Sequence, residues 1–171
     1  MLHKRDTFEK KIYANFLFQN KSAKDETSHT ELILSILGSK TPVVAFTSML
    51  SKDTTIGPRA ILKYDHVVTN WGGAYEPTTG IFTAPYDGLY SISCTLMSYP
   101  SNHVHLSIMK NGQRISIVFS HNKTYPQASQ TLHLILNKGD RIWMQNNYNH
   151  NAKIHDKKVY NVFSGILIKD L

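Results

Sequence analysis

The chain has 171 residues, 41% of them hydrophobic, enough for one well-cored domain plus a short extension. Its net charge of +7 is spread without blocks, so the balance is that of a basic soluble domain, and no nucleic-acid partner is expected. A single cysteine, Cys94, excludes an intrachain disulfide, and no apolar run approaches the roughly 20 residues of a membrane span.

The first 40 residues differ from the rest. Phe8, Ile12 and Phe16 are spaced by four, as are Ile33 and Leu37, which predicts helical stretches over 6–19 and 29–38 with a loose polar segment between them. The repeat is too short to establish a coiled coil, so a partly helical arm is expected rather than the tail of a trimeric stalk. No Gly-x-y repeat is present, which removes a collagen stalk. Met1 to Asp6 is not followed by an apolar segment, so no signal peptide is visible. Asn20-Lys21-Ser22 and Asn122-Lys123-Thr124 fit the glycosylation sequon.

From residue 41 onward strand signals recur at short intervals, over Val43–Met49, Ala60–Asn70, Ile81–Phe82, Leu89–Leu96, His103–Lys110, Gln113–Phe119, Ser129–Leu136, Arg141–Tyr148 and Tyr160–Lys169. Between them stand turns. Glu76-Pro77-Thr78-Thr79-Gly80 and Pro85-Tyr86-Asp87-Gly88 combine proline, which presets φ, with glycine, which accepts positive φ. Asn111-Gly112 between two alternating runs is the strongest two-residue hairpin signal. Tyr90, Ile92, Cys94 and Leu96 share one face, which makes Cys94 a buried inert thiol. Val104, Leu106 and Ile108 are expected to face Ile115, Ile117 and Phe119 across the hairpin. Many short strands without helical patterning predict an all-β sandwich over 41–171.

The closing strand is apolar on both faces, with Val162, Ile166 and Ile168 on one and Phe163 and Leu167 on the other. Val43 to Phe46 behaves similarly. A sandwich strand with one wet face should alternate, so something besides the core must cover these strands, and a partner subunit does so most simply.

Catalytic and cofactor motifs are missing: there is no Gly-x-Ser-x-Gly elbow, His-Glu-x-x-His, phosphate loop, Cys-x-x-Cys or EF-hand loop. The twelve acids are scattered, and no enzyme is expected. His103 and His105 share a solvent-facing strand face, where a zinc pair is geometrically allowed but two ligands are too few. His133, between Leu132 and Leu134, is also expected outside. The segment 145–158 is the most binding-like loop. Asn146, Asn147, Asn149 and Asn151 offer paired donors and acceptors, Tyr148 a ring face, and Lys153, Lys157 and Lys158 positive charge, with His150 and His155 adding charge in mild acid. These are the groups an acidic sugar needs. His121-Asn122-Lys123-Thr124-Tyr125 is a second cluster of the same character.

The sequence also resembles a known family. Asn70, Gly73, Tyr75, Pro77, Gly80, Phe82, Pro85, Gly88 and Tyr90 fall where the globular head domain of complement C1q has its most recognisable run. Gly139-Asp140-Arg141-Ile142-Trp143 is similar to that family's Gly-Asp-x-hydrophobic-Trp strand entry, Phe163-Ser164-Gly165-Ile166-Leu167-Ile168 to its closing strand, and Ala45-Phe46-Thr47 to its opening strand. The resemblance runs from about Pro42 to Leu171. It implies a ten-stranded-type jelly roll shared with tumour necrosis factor, secretion, and a homotrimer with Phe46, Phe163 and Leu167 at its interface. It also implies an innate-immune recognition module for glycans, lipopolysaccharide or other anionic pathogen-surface ligands. A tumour necrosis factor-like ligand for a cell-surface receptor is the alternative. No cofactor is required; some family members bind calcium through loop acids, but no calcium ligands can be located in this sequence.

Overall fold

The computed structural model describes residues 42–121, 123–157 and 159–171, and the arm expected over 1–40 lies outside these. Every regular element among the described residues is a strand: β1 (Ala45–Met49), β2 (Thr54–Ile56), β3 (His66–Trp71), β4 (Tyr75–Glu76), β5 (Ile81–Thr83), β6 (Gly88–Met97), β7 (Val104–Lys110), β8 (Gln113–Ser120), β9 (Gln127–Leu136), β10 (Arg141–Asn146), β11 (Ala152–Ile154) and β12 (Val162–Asp170). One five-stranded sheet runs β3-β1-β12-β6-β9 and a second runs β4-β5-β10-β7-β8. A small β11-β2 pair forms a third sheet. All pairings are antiparallel, and the fold is a jelly-roll sandwich of the expected ten-strand type.

The core between the five-stranded sheets is aromatic. Phe46 of β1 stacks on Tyr75 of β4 and Phe82 of β5, each with ring centres 5.0 Å away, and meets Phe163 of β12 edge-on at 5.0 Å. Gly165 permits this. A Cβ there would lie 2.5 Å from Phe46 Cε1 and 2.8 Å from Ile92 Cδ1, so only glycine lets the Phe46 ring lie against β12. Tyr90, Ile92, Cys94 and Leu96 all point into this core, as their alternation predicts, and burial pushes the Cys94 thiol up to about 12.

The signature run owes its residues to local closure. Asn70 donates through Nδ2 to the Tyr75 carbonyl (2.8 Å), and its Oδ1 accepts from the Tyr75 amide (3.1 Å). The loop thus clamped carries Gly72 and Gly73 at φ 87° and 62°. The Tyr75 hydroxyl then donates to the Tyr64 carbonyl at 3.0 Å. At the start of β10, Asp140 accepts from Lys110 Nζ (2.9 Å), Asn111 Nδ2 (2.7 Å) and the Asn137 amide (2.9 Å). The Asn111-Gly112 hairpin is thereby tied to β10, with φ of 51° and 88° at its two central residues, the signs a type I′ turn demands.

Several expectations are corrected. Strand structure between Ala60 and Asn70 begins only at His66; before it the chain is extended with one isolated bridge, Ile61 to Gln145. The 145–158 segment is not a single loop, because β11 pairs with β2 inside it. Ile117 and Phe119 do not face Leu106 and Val104. The register against β7 shifts between Ile108 and Met109, so Ile115 is the extra residue of a bulge and Leu106 pairs with Val118. Everything beyond the bulge is turned over, placing Ile117 and Phe119 outside. Phe46, Phe163 and Leu167 are corrected as interface residues. They are 1%, 0% and 6% exposed inside this subunit's own core, while Ile166 and Ile168 hold the outward face of β12 at 51% and 49%.

The Asp140 cluster yields an acid-stability prediction. The Lys110 ammonium hydrogen-bonded to Asp140 holds its carboxyl down at about 2. A carboxyl depressed in the fold contributes stability above its ordinary value near 4 that is lost as pH falls toward 2. Asp140→Asn should therefore flatten the fall in melting temperature over that window, measured by acid-titrated thermal unfolding, and leave the slope near neutrality unchanged.

Candidate ligand surface

The bulge in β8 has a chemical result. By turning Phe119 outward it sets that ring beside His105, its cross-strand partner on β7, with ring centres 4.3 Å apart. His105 is also stacked on Tyr148 from the segment after β10, at 4.6 Å and an interplanar angle of 5°. Tyr148 meets His150 at 5.5 Å. On the other side Phe119 approaches His121 at 6.2 Å, and His121 stacks on His103 at 3.8 Å. The six rings form one continuous ladder, His103–His121–Phe119–His105–Tyr148–His150, across the end of the β4-β5-β10-β7-β8 sheet. Tyr148 and Phe119 are 44% and 48% exposed. An open groove of about 420 Å³ borders it, lined by Ser101, Asn102, His103, Tyr148, His150 and Asn151.

Burial and the nearby His103 lower the His105 pKa from its ordinary value, so its ring is neutral at pH 7. No carboxylate lies within ion-pair distance of any of the four imidazoles among the described residues. What the surface offers is ring faces, imidazole nitrogens and amides.

The structure divides the residues that the sequence grouped together. Tyr148, His150 and the neighbouring Asn151 reach the groove. Asn146 does not: it is fully buried, and its Nδ2 lies within hydrogen-bonding distance of the carbonyls of Ile56 (3.4 Å), Gly57 (3.0 Å) and His150 (2.8 Å). It is the internal strut of the loop. Asn147 accepts from Arg59 Nη1 at 2.8 Å and donates to Met109 Sδ at 3.7 Å. Lys153 lines a separate groove with Asp53, Tyr99 and Asn102. Lys157 is exposed, and Lys158 lies outside the described residues. His155 is buried among Tyr99, Tyr125 and Tyr160, with Nδ1 3.0 Å from Asp53 Oδ1 but off the line of a hydrogen bond. It is not available to a ligand. Asp53 itself accepts from the Tyr99 hydroxyl and the Asp156 amide.

His103 and His105 do share an outward face as their spacing predicts, and His133 is outward on β9. The neighbours that complete the ladder, Phe119 and His121, carry no signal in the β7 sequence, because the bulge brings them there. Among the described residues no group of three or more His, Cys, Asp or Glu gathers as a metal site. No helix there is long and apolar enough to cross a membrane.

The assignment of Asn146 to structure is testable. Asn146→Ala leaves buried carbonyls without their donor, a loss of about 1–3 kcal/mol. The variant should show a lowered melting temperature and loosened β10–β11 amides in hydrogen exchange, whereas a pure ligand-binding role would leave both unchanged.

The sequence profile of the C1q domain matches residues 45–168. Collagen alpha-1(X) chain of Mus musculus is 32% identical over 131 residues, covering 74% of this chain and 19% of that protein. Complement C1q tumor necrosis factor-related protein 6 of Mus musculus is 31% identical over 112 residues, 63% of this chain and 42% of that protein. The chain therefore spans well under half the length of these curated relatives. Among solved structures, the globular domain of zebrafish complement 1qA superposes with a TM-score of 0.63 at 18% identity, over 75% of this chain and 99% of that one. Eiger TNF from S. frugiperda does so with 0.63 at 12% identity, over 76% and 95%. At these identities the likeness is one of fold.

Proposed function

Because the chain belongs to the C1q-domain family, we propose that it is a secreted, homotrimeric recognition module of innate-immune type that binds microbial or anionic glycans, lipopolysaccharide included. The observation that carries this reading is the groove beside Tyr148 and His150. Exposed ring faces pack against the apolar faces of sugars, and the amides of Asn102 and Asn151 match sugar hydroxyls. Lys153, in the adjoining groove that shares Asn102, adds positive charge. This is the equipment of a binding module.

The trimer is supported by the outward face of the other sheet. There a row of hydroxyl side chains, Thr69, Thr47, Ser164, Ser93 and Thr131, crosses five paired strands, with Ser93 Oγ 2.7 Å from Ser164 Oγ. The adjacent row places Trp71, Ala45 and Ile166 side by side. A flat face of small and apolar groups suits a self-associating interface. Its use would leave the ladder, on the opposite sheet, open to solvent. Ile166→Lys would bury an unpaired charge there, at several kcal/mol, and sedimentation should show a trimer converted to monomers.

The second reading, a tumour necrosis factor-like ligand for a protein receptor, is favoured by the equal structural likeness to Eiger TNF. A glycan array probed with the trimer separates the two. Binding to acidic glycans or lipopolysaccharide, weakened roughly tenfold by Tyr148→Ala (about 1.4 kcal/mol) with the trimer intact, is the expected result. A silent array together with saturable binding to a cell-surface protein would overturn it.

A further inference from the structure

We propose that the six-ring ladder is an acid-armed anion clamp, in which protonation of its imidazoles and binding of an acidic saccharide are one coupled event, so that affinity rises as pH falls through about 6.5. This rests on the reading that the groove binds an anionic glycan, and adds its ligand class and its control.

The geometry makes the ladder sensitive to charge. His103 and His121 are stacked face to face at 3.8 Å, an arrangement that suits rings of which at least one is neutral. His105 is packed between Phe119 and Tyr148, where a cation loses water on both faces. Protonating all three would set like charges along one short strip, where burial and then the neighbouring His103 disfavour charge on His105.

Among the described residues no carboxylate neutralises that charge. On β7 the charged residue is Lys110, at the far end of the strand and paired with Asp140. On β8 it is Arg114, opposite Met109 and equally distant. Lys123 follows His121 in the chain. From the segment after β10 come Tyr148 and His150, and Arg59 bonds to Asn147 behind them. In the adjoining groove Lys153 is a cation, and the Asp53 carboxylate is engaged by Tyr99, the Asp156 amide and His155. The described residues thus leave the counter-charge that acid demands to a bound carboxylate or sulfate. The exposed Tyr148 and Phe119 rings beside it favour an anion carried on a sugar over a bare inorganic ion.

The sign of the effect follows. A histidine whose pKa in the fold lies below its ordinary value costs the free protein stability as pH falls. An anion that raises that pKa is bound more tightly over the same interval, by up to roughly tenfold per pH unit for each proton taken up.

The test uses the full chain and a heparin-derived sulfated tetrasaccharide at constant ionic strength. Calorimetry at about pH 7.5 and about pH 5.5, in buffers of different ionisation enthalpy, should show at least a roughly tenfold gain in affinity in acid, with net proton uptake. In His103→Gln/His121→Gln and in His105→Gln the ratio between the two pH values should fall, and in the triple variant it should collapse toward one. Equal affinity at both pH values, or a ratio that survives these substitutions, overturns the clamp. Nuclear magnetic resonance titration of the wild-type imidazoles, with and without inorganic sulfate, supplies a readout that needs no variant. Sulfate should raise the titration points of His103, His105 and His121. If the tetrasaccharide binds at neither pH while sulfate still raises them, the glycan reading fails and the anion clamp stands. If sulfate moves none of them, the clamp is refuted.

Discussion

Phe46 is the contact on which both sheets depend. Its ring lies flat between Tyr75 and Phe82 of one sheet and edge-on to Phe163 of its own, so a single side chain fixes how the two layers meet. Such aromatic pairs contribute about 0.5–1.5 kcal/mol each beyond the area they bury. The arrangement needs the missing Cβ of Gly165 and the clamp of Asn70 on Tyr75, which ties the recognisable run of the sequence to the core rather than to any ligand. With the inner faces committed in this way, function is left to the outer faces and to the loops at the ends.

What was legible in the sequence was local. The Asn111-Gly112 turn needs positive φ at two successive residues, and the residue types announce it. The inward face of β6 follows from simple alternation over ten residues. The C1q likeness rests on turn and closure residues whose reasons are also local. The side of a strand that faces the core is a different kind of quantity, because one extra residue reverses it. The bulge at Ile115 reverses β8 and is silent in composition. In β12 both faces are apolar, so alternation could not say whether Phe163 or Ile166 was inside. The sandwich decided it through the space that Gly165 leaves for Phe46.

The candidate site was legible only in part, for the same reason. Tyr148 and His150 were singled out because an aromatic residue and amides cluster in sequence, and both line the groove. Asn146 and His155 were drawn in by that clustering, yet the fold uses both internally, one to hold carbonyls of its own loop and the other to fill a tyrosine-lined space. The ring ladder takes residues from three separate segments, and its continuity passes through Phe119. Its existence is a consequence of register, and register is set by pairings distant in the chain.

The direction of the strands has a consequence for presentation. Ala45 opens β1 opposite Ile166, and Gly88 pairs with Asp170, so the chain enters and leaves the sandwich at one end. The ladder sits at the other end, where β7 begins and β8 and β10 finish. Within residues 42–171 the rings thus lie at the end of the sandwich remote from both Pro42 and Leu171.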